Sequence, residues 1–463
     1  MELELIRQQL HKRYIEPTKK KREKYIGVEI EMPIVNLSKK AVDFEAVHVI
    51  TRRFISHFGF SVVGTDDKGN IFSAQSPETG DILSYDCSYN NLELSFGREQ
   101  NLFIIQKRFS EYYDFLQNQF KEYNYTLTGM GVNPYRNYNH NVPIPNGRYR
   151  MLFHHLNSYK KYIDLPMHFH RYPEYGTFSS ASQVQLDVEY DKLALTLNTF
   201  TRLEPIKALL FSNSVLLGED ETTLCCRDMF WENSTHGINP HNVGMYDCEF
   251  ESVDDILSYI ETTSIYCVER EGKYINFAPI RLDEYFNRKA VTGEYFDNGI
   301  YRKIEIEPRF EDLEYLRTFK FIDLTFRGTV EFRSVCCQPI RDSICVAAFH
   351  VGLMDRLEEL SALLESDRVI YHHGYNSGEL RKILIKRDLP EFIDKDKLYS
   401  LAKQIVDLAY DGLVNRNQGE EKLLEPLYQR ISSKTNPAKN MIDLKNSGVK
   451  LEEIIKEYGQ TSA

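Results

Sequence analysis

Apolar side chains recur along the chain at two periods. From Asn101 to Tyr125, Leu102, Ile105, Phe109, Tyr112, Leu116, Phe120 and Tyr123 fall at three- and four-residue intervals, which puts them on one stripe of an amphipathic helix. Ile344, Ala347, Val351, Met354, Leu357, Leu360 and Leu364 repeat that spacing, and the stretch beyond Lys395 reads as further helices broken by Gly and Pro. Between the helices lie alternating stretches bounded by Asp67-Lys68-Gly69-Asn70, Glu78-Thr79-Gly80-Asp81 and Asn133-Pro134, which predict strands joined by turns. The class predicted is α+β, with an N-terminal helical extension over 1–24 and a mostly helical C-terminal part over 340–463. No Gly/Ser- or Pro-rich linker and no repeat divides the 463 residues, so a single domain over 1–463 is expected.

Four of the strand candidates carry an unusual polar face. In KYIGVEIEMPI, Ile26, Val28 and Ile30 alternate with Gly27, Glu29 and Glu31, so a strand turns both carboxylates to one side. In YNNLELSF, Leu92 and Leu94 alternate with Asn91, Glu93 and Ser95, and Asp86 lies close enough in sequence for a preceding turn to bring it alongside. In SSASQVQLDVEY, Val184, Leu186 and Val188 oppose Gln183, Gln185 and Asp187; in FRGTVEFRSV, Val330 and Phe332 oppose Glu331 and Arg333. Any one such face could be the solvated side of an antiparallel sheet. Solvated faces favour Thr, Ser and Lys of mixed charge, however, and these four repeat acids and amides instead.

Converging carboxylates repel one another and rise in pKa unless a cation neutralises them, and such hard oxygen donors suit Mg²⁺, with Mn²⁺ as an alternative, far better than zinc. Mg²⁺ characteristically joins a few carboxylates to substrate phosphates, so a polar sheet face with several acids and Arg333 nearby points to nucleotide phosphate chemistry. There is no P-loop and no GxGxxG motif, so metal and arginines, not a helix N-terminus, are expected to hold the phosphates.

The charge balance, 57 Lys plus Arg against 68 Asp plus Glu for a net −11, argues against attachment to nucleic-acid backbones. No apolar run of about 18 residues exists and no apolar segment accompanies the N-terminal charges, so neither a membrane nor secretion is expected. Eight cysteines, Cys87, Cys225, Cys226, Cys248, Cys267, Cys336, Cys337 and Cys345, show no CxxC spacing and read as buried thiols of a cytoplasmic protein. His154-His155, His168-x-His170 and His372-His373 lack a third ligand at metal spacing and read as structural or surface residues, and Lys19-Lys20-Lys21-Arg22 as a solvated basic run.

GVEIE, DCSYNNLELSFG, GMGVNPY, the GRY at Gly147 to Tyr149, SQVQLD, IKALLFSNS, VEFRS and AAFHVGLMD occur in the order seen in the glutamate–cysteine ligases. The chain resembles that family, most nearly its plant and proteobacterial type, over roughly Tyr25 to Asp355. The resemblance implies a glutamine synthetase-like fold, a curved antiparallel sheet forming a funnel with helices packed outside. It implies metal ligands at Glu29, Glu31, Asp86, Glu93, Gln183 and Glu331. Arg333 would neutralise a transferring phosphate, and Arg148, Gln185, Arg227 and Arg327 would bind ATP or substrate. The implied reaction phosphorylates the γ-carboxylate of L-glutamate with ATP and lets the amine of L-cysteine displace phosphate, the first step of glutathione-type thiol synthesis. Its proton acceptor would be water, phosphate or an acid such as Glu29. Three departures bear on the amine. SQVQLD has Gln185 where the family more often has Asn, and both Val335 to Pro339 and the segment Arg288 to Glu314 depart from the pattern, which makes them candidates for the amine pocket. A γ-glutamyl ligase for a different amine is the alternative.

Overall fold

A computed structural model describes residues 3–366 and 374–461; His372 and His373 lie outside them. The strands in chain order are β1 (Ile26–Asn36), β2 (Ser61–Thr65), β3 (Ile71–Gln75), β4 (Ile82–Tyr85), β5 (Asn91–Glu99), β6 (Tyr125–Leu127), β7 (Ser182–Asp187), β8 (Val243–Gly244), β9 (Ser264–Arg270), β10 (Lys273–Arg281), β11 (Val291–Asp297), β12 (Ile300–Ile306), β13 (Phe319–Lys320), β14 (Ile322–Leu324) and β15 (Thr329–Phe332). Nine of them form one sheet in the order β14-β15-β7-β1-β5-β4-β3-β2, with β6 on the end of β1, and every pairing in it is antiparallel. Strands β12-β11-β10-β9 form a second sheet, and β8 pairs with β13 in parallel. The protein is α+β.

Alternation in the sequence becomes two-sidedness in the sheet. Val28 lies opposite Phe96 and Val184, Ile30 opposite Leu94, Leu186 opposite Val330, and Val184 opposite Phe332, and all are buried. Each such side chain contributes about 1.5–3 kcal/mol by leaving water. A one-residue slip of β1 would exchange this whole set for Glu29 and Glu31, so the register is strongly specified. The apolar face is covered by helices Phe44–Phe58, Leu102–Lys121, Leu193–Phe211 and Cys345–Asp355. The last of these is buried on all sides, and its Gly352 meets Gly412 of helix Lys395–Asn415 at a close crossing. A Cβ on Gly352 would stand 2.1 Å from the Ala409 carbonyl oxygen, and one on Gly412 2.0 Å from that of Gly352.

Three sequence expectations are adjusted. The helix expected through Tyr125 ends at Lys121, because Asn124 takes a positive φ (58°) and the chain turns into β6. Its start is fixed by Asn101, whose side chain accepts from the N–H groups of Phe103 and Ile104 at 2.8 and 3.3 Å. The periodic run Ile344–Leu364 is two helices, Cys345–Asp355 and Leu357–Ser366; Arg356 leaves helical geometry between them, and the second helix packs on Leu193–Phe211. The basic run is not wholly solvated, since Arg22 donates to the carbonyls of Pro17 (2.5 Å) and Gly328 (2.7 Å) and faces Asp187 at 3.4 Å. It thereby fastens the β14–β15 turn, where Gly328 has φ +74° and a Cβ would strike Arg22 and Pro17. Beyond Ile340 every described element is helical. No helix among the described residues is long and apolar enough to cross a membrane.

Candidate active site

The polar face of the main sheet is roofed over. Helix Gly147–Asn157, strands β9 and β10, and the segments around Trp231 and Tyr315 stand across from it and enclose a cavity of about 440 Å³. Solvation therefore does not explain the acids. A larger recess of about 870 Å³ lies among Arg202, Tyr246, Glu249 and Lys382 and holds none of the sheet's acids.

Strand register arranges the acids in three rows. Asp323, Glu331, Gln185 and Gly27 lie side by side across β14, β15, β7 and β1. Gln183, Glu29 and Ser95 follow across β7, β1 and β5, then Glu31, Glu93 and Ser84 across β1, β5 and β4. Directly opposed residues in such ladders have Cβ atoms about 4.5–5.5 Å apart, so the carboxylates interact electrostatically. Gln185 Nε2 donates to Glu29 Oε1 (3.2 Å) and Glu331 Oε1 (3.0 Å), bridging two acids. Gln183 Nε2 donates to Glu31 Oε1 (2.9 Å), whose Oε2 accepts from the Ala181 N–H (2.7 Å). Ser95 Oγ donates to Glu93 Oε1 (2.6 Å), and Arg333 Nη1 to Glu331 Oε2 (3.1 Å). Asp86 follows β4 directly and, with Glu29, Gln185 and Glu331, lines the cavity. Glu31, Glu93 and Gln183 are not cavity-lining and form a layer beside these residues.

The electrostatics follow from packing like charges out of water. Burial and the neighbouring Glu93 and Glu331 push Glu29 well above the usual carboxylate range. Burial and then Asp86 raise Glu31 to about 8 and Glu93 to about 7; burial raises Asp323 to about 6, against the pull of Arg333. The residues fit a divalent cation in a second respect. Gln183 Oε1 is shielded from solvent with no hydrogen-bond partner, an acceptor in need of a positive group. Among the described residues no three Asp, Glu, His or Cys side chains converge closely enough to cage an ion alone. Mg²⁺ characteristically keeps several waters and takes one or two carboxylates together with substrate phosphates.

The expected arginines divide. Arg333, Arg327 and Arg148 line the cavity; Arg148 stands in the first turn of helix Gly147–Asn157 and Arg327 Nη2 donates to Gln185 Oε1 (2.8 Å). Arg227 is buried outside the cavity lining, its Nη1 donating to the carbonyls of Ser334 (3.3 Å) and Val335 (3.1 Å), so it braces the end of β15 beside Glu31. The residues proposed for an amine pocket also move. None of Arg288 to Glu314 or Val335 to Pro339 lines the cavity; the former builds β11, β12 and a helical turn, and its place is taken by Tyr266, Cys267, Tyr274, Tyr315 and Phe319. Three of the histidines make structural contacts: His154 pairs with Glu294 (2.9 Å), His155 stacks on Tyr266 with burial lowering its pKa to about 3, and His170 bonds the Phe230 carbonyl (3.0 Å). Asp323 is the acid that sequence reading passed over. Its signal was the same alternation, Ile322 and Leu324 against Asp323 and Thr325, in a strand too short to stand out.

With this geometry in place, the chain can be set beside known proteins. No family model matches it. A chloroplastic glutamate–cysteine ligase of Solanum lycopersicum is 23% identical over 313 residues, covering 65% of this chain and 54% of that protein, and one of Nicotiana tabacum is 24% identical over 270 residues, covering 56% and 48%. This chain is similar in sequence to chloroplastic glutamate–cysteine ligases. It spans about half the length of the curated relatives it matches. A solved glutamate–cysteine ligase of Francisella tularensis in complex with AMP aligns over 96% of this chain and 90% of its own, with 12% identity and a TM-score of 0.48.

Proposed function

We propose that the protein is an ATP-dependent carboxylate–amine ligase that joins the γ-carboxylate of L-glutamate to the amine of L-cysteine. One observation carries the reading: four adjacent strands turn Glu29, Glu31, Glu93, Glu331, Gln183 and Gln185 to one side of the sheet, where Glu29, Gln185 and Glu331 line an enclosed cavity with Arg333, in a chain similar to glutamate–cysteine ligases. In the reaction a γ-carboxylate oxygen attacks the terminal phosphorus of ATP, the bond to ADP breaks, and γ-glutamyl phosphate forms. The cysteine nitrogen then attacks the acyl carbon, phosphate leaves, and the amine gives up a proton.

Mg²⁺, or Mn²⁺ in its place, held by acids drawn from Glu29, Glu31, Asp86, Glu93 and Glu331 with Gln183, would supply the positive charge that lets two anions meet. The chain's own groups supply the rest. Arg333, fixed by Glu331 and backed by Asp323, presents a guanidinium where charge develops on the transferring group. Gln185 holds Glu29 and Glu331 in one geometry, and Arg327 locks the amide from its other end. Arg148 faces Asp86 across the cavity, placed for a substrate carboxylate or phosphate. The aromatic wall of Tyr149, Tyr266, Tyr274 and Trp231 excludes water that would hydrolyse an acyl phosphate. Glu29, raised well above the usual carboxylate range by burial and by the neighbouring Glu93 and Glu331, lines the cavity and is a candidate, beside water and phosphate, to accept the amine's proton. All eight cysteines are free, which suits a reducing, cytoplasmic setting.

The test is ADP release from ATP, Mg²⁺ and L-glutamate with and without L-cysteine, with mass analysis of the product. Cysteine-dependent formation of γ-glutamylcysteine is expected. ADP release that cysteine does not accelerate overturns the assignment of the amine, and no glutamate-dependent release overturns the reaction class.

A further inference from the structure

Two arginines of the cavity, Arg13 and Arg317, are accounted for by neither the polar strands nor the family motifs. They line it together with Arg327 and Phe326. The three arginines come from separate segments: Arg13 from the turn after the first helix, Arg317 from the loop before β13, Arg327 from the β14–β15 turn. None makes an ion pair with a carboxylate within 4 Å among the described residues, although the chain carries a net charge of −11. Arg317 Nη1 donates only to the carbonyls of Glu314 (2.6 Å) and Leu316 (3.0 Å). Arg13 Nε is shielded from solvent without a hydrogen-bond partner.

Backbone and ring geometry converge on the same place. His11–Ile15 is a π-helical turn, a rare widening of the helix that recurs at functional sites, and it directs both Arg13 and Tyr14 to the cavity. Phe326, 51% exposed, has the guanidiniums of Arg13 and Arg327 at 5.0 Å and 5.2 Å from its ring centre. Like charges gathered around an exposed aromatic ring, at the mouth of a cavity whose floor is acidic, describe a receiver for an anion with a flat, stackable part.

We propose that Arg13 and Arg317, with Arg327 and Phe326, form the outer nucleotide-binding pole of the site: the guanidiniums take the phosphates nearer the nucleoside of a purine nucleoside polyphosphate, and Phe326 gives its base a stacking surface. The inference rests on the ligase reading for the identity of the anion. It assigns the N-terminal helical segment a direct part in binding, and it orients the nucleotide with its terminal phosphate toward Arg333 and its base toward the cavity mouth.

Calorimetric titration of Mg·ADP into the wild type and into Arg13→Ala, Arg317→Ala and Phe326→Ala tests it. A lost charge-assisted hydrogen bond predicts about 10-fold or greater weakening in each arginine variant, with Arg13→Lys intermediate. In turnover assays the KM for ATP should rise by a similar factor while the KM for glutamate stays within about 2-fold. Wild-type Mg·ADP affinity in all three alanine variants overturns the inference, as does a loss confined to the KM for glutamate or cysteine. If Arg13→Ala does not fold, Arg317→Ala and Arg13→Lys carry the same comparison. A wild type that binds no Mg·ADP defeats the ligase reading itself, whereas a wild type that binds it as tightly as the variants defeats only the outer pole.

Discussion

Replacing Glu331 by Gln separates the structural role of this acid from its role in ligand binding. The side chain keeps its size, and Oε1 continues to accept from Gln185 Nε2 at 3.0 Å, but Oε2 becomes an amide nitrogen facing Arg333 Nη1, now 3.1 Å away, donor against donor. The lost charge-assisted bond destabilises the fold by about 1–3 kcal/mol. Two effects offset part of this: Arg333 retains Asp323 as an electrostatic partner, and Glu29 and Glu93 lose a negative neighbour that raised their pKa values. A chain of 463 residues unfolds with an entropy of about 1 kcal/mol per kelvin. The melting temperature of the ligand-free variant should therefore fall by no more than about 3 °C. Ligation behaves differently. Mg·ADP at 100 times its Kd adds about 2.7 kcal/mol, or about 3 °C, to the wild type, and this increment should vanish in Glu331→Gln. Turnover should drop about 100-fold or more, the scale for removing one electrostatic contact to a transition state. Differential scanning fluorimetry with and without Mg·ADP, paired with ADP release, reads both. A variant that keeps both the nucleotide-induced shift and the wild-type rate would refute the assignment of Glu331 to the metal and phosphate site.

Because Glu31 and Glu93 are raised to about 8 and 7 in the folded, ligand-free protein, deprotonating them works against folding; their contribution is intact near pH 4.5 and is lost as pH rises through about 8. A divalent cation reverses that loss, so the rise in melting temperature produced by Mg²⁺ should be larger at pH 8.5 than at pH 6.5, and an equal or smaller rise at pH 8.5 would contradict the clustered-acid picture. Gly352→Ala places a methyl group against the Ala409 carbonyl and should destabilise by about 1–3 kcal/mol, read as a lower urea midpoint at unchanged slope. An unchanged midpoint would mean the helices part freely. Cys248 is the one exposed cysteine, so a thiol reagent should find one fast-reacting group in the native protein and eight in denaturant; several fast thiols would show the core to be more open than described.

How much could be read beforehand follows from what a strand's alternation records. It records which residues share a face, and Glu29 with Glu31, Gln183 with Gln185, and Glu331 with Arg333 all lie where two-residue spacing puts them. It does not record what stands opposite that face. The roof comes from β9, β10 and helix Gly147–Asn157, whose cavity residues Tyr266, Tyr274 and Leu152 look like any half-buried apolar positions. Arg227 illustrates the other limit. An arginine in a conspicuous string was assigned to substrate, yet long side chains choose partners in three dimensions, and this one found two backbone carbonyls. Gln185 fared better because its partners lie on the neighbouring strands, where register alone fixes the contact. Asp323 was missed because β14 spans only Ile322–Leu324, too few residues for a period to declare itself.

The interleaving of core and site on the same strands constrains how such a protein can diversify. Along β1, each residue between Ile26 and Met32 either fills the core or faces the polar side, and along β7 Gln183 and Gln185 each hold an acid. These strands have no spare positions, so substitutions there disturb the core, the acid cluster, or both. The roof is under no such double obligation. Tyr266, Cys267 and Tyr274 belong to the β9–β12 sheet, Tyr315 to a helical turn and Phe319 to β13 of the two-stranded sheet, so none of them takes part in the register of β1. A lineage built on this plan is free to reshape its cavity by altering its ceiling while its floor stays fixed.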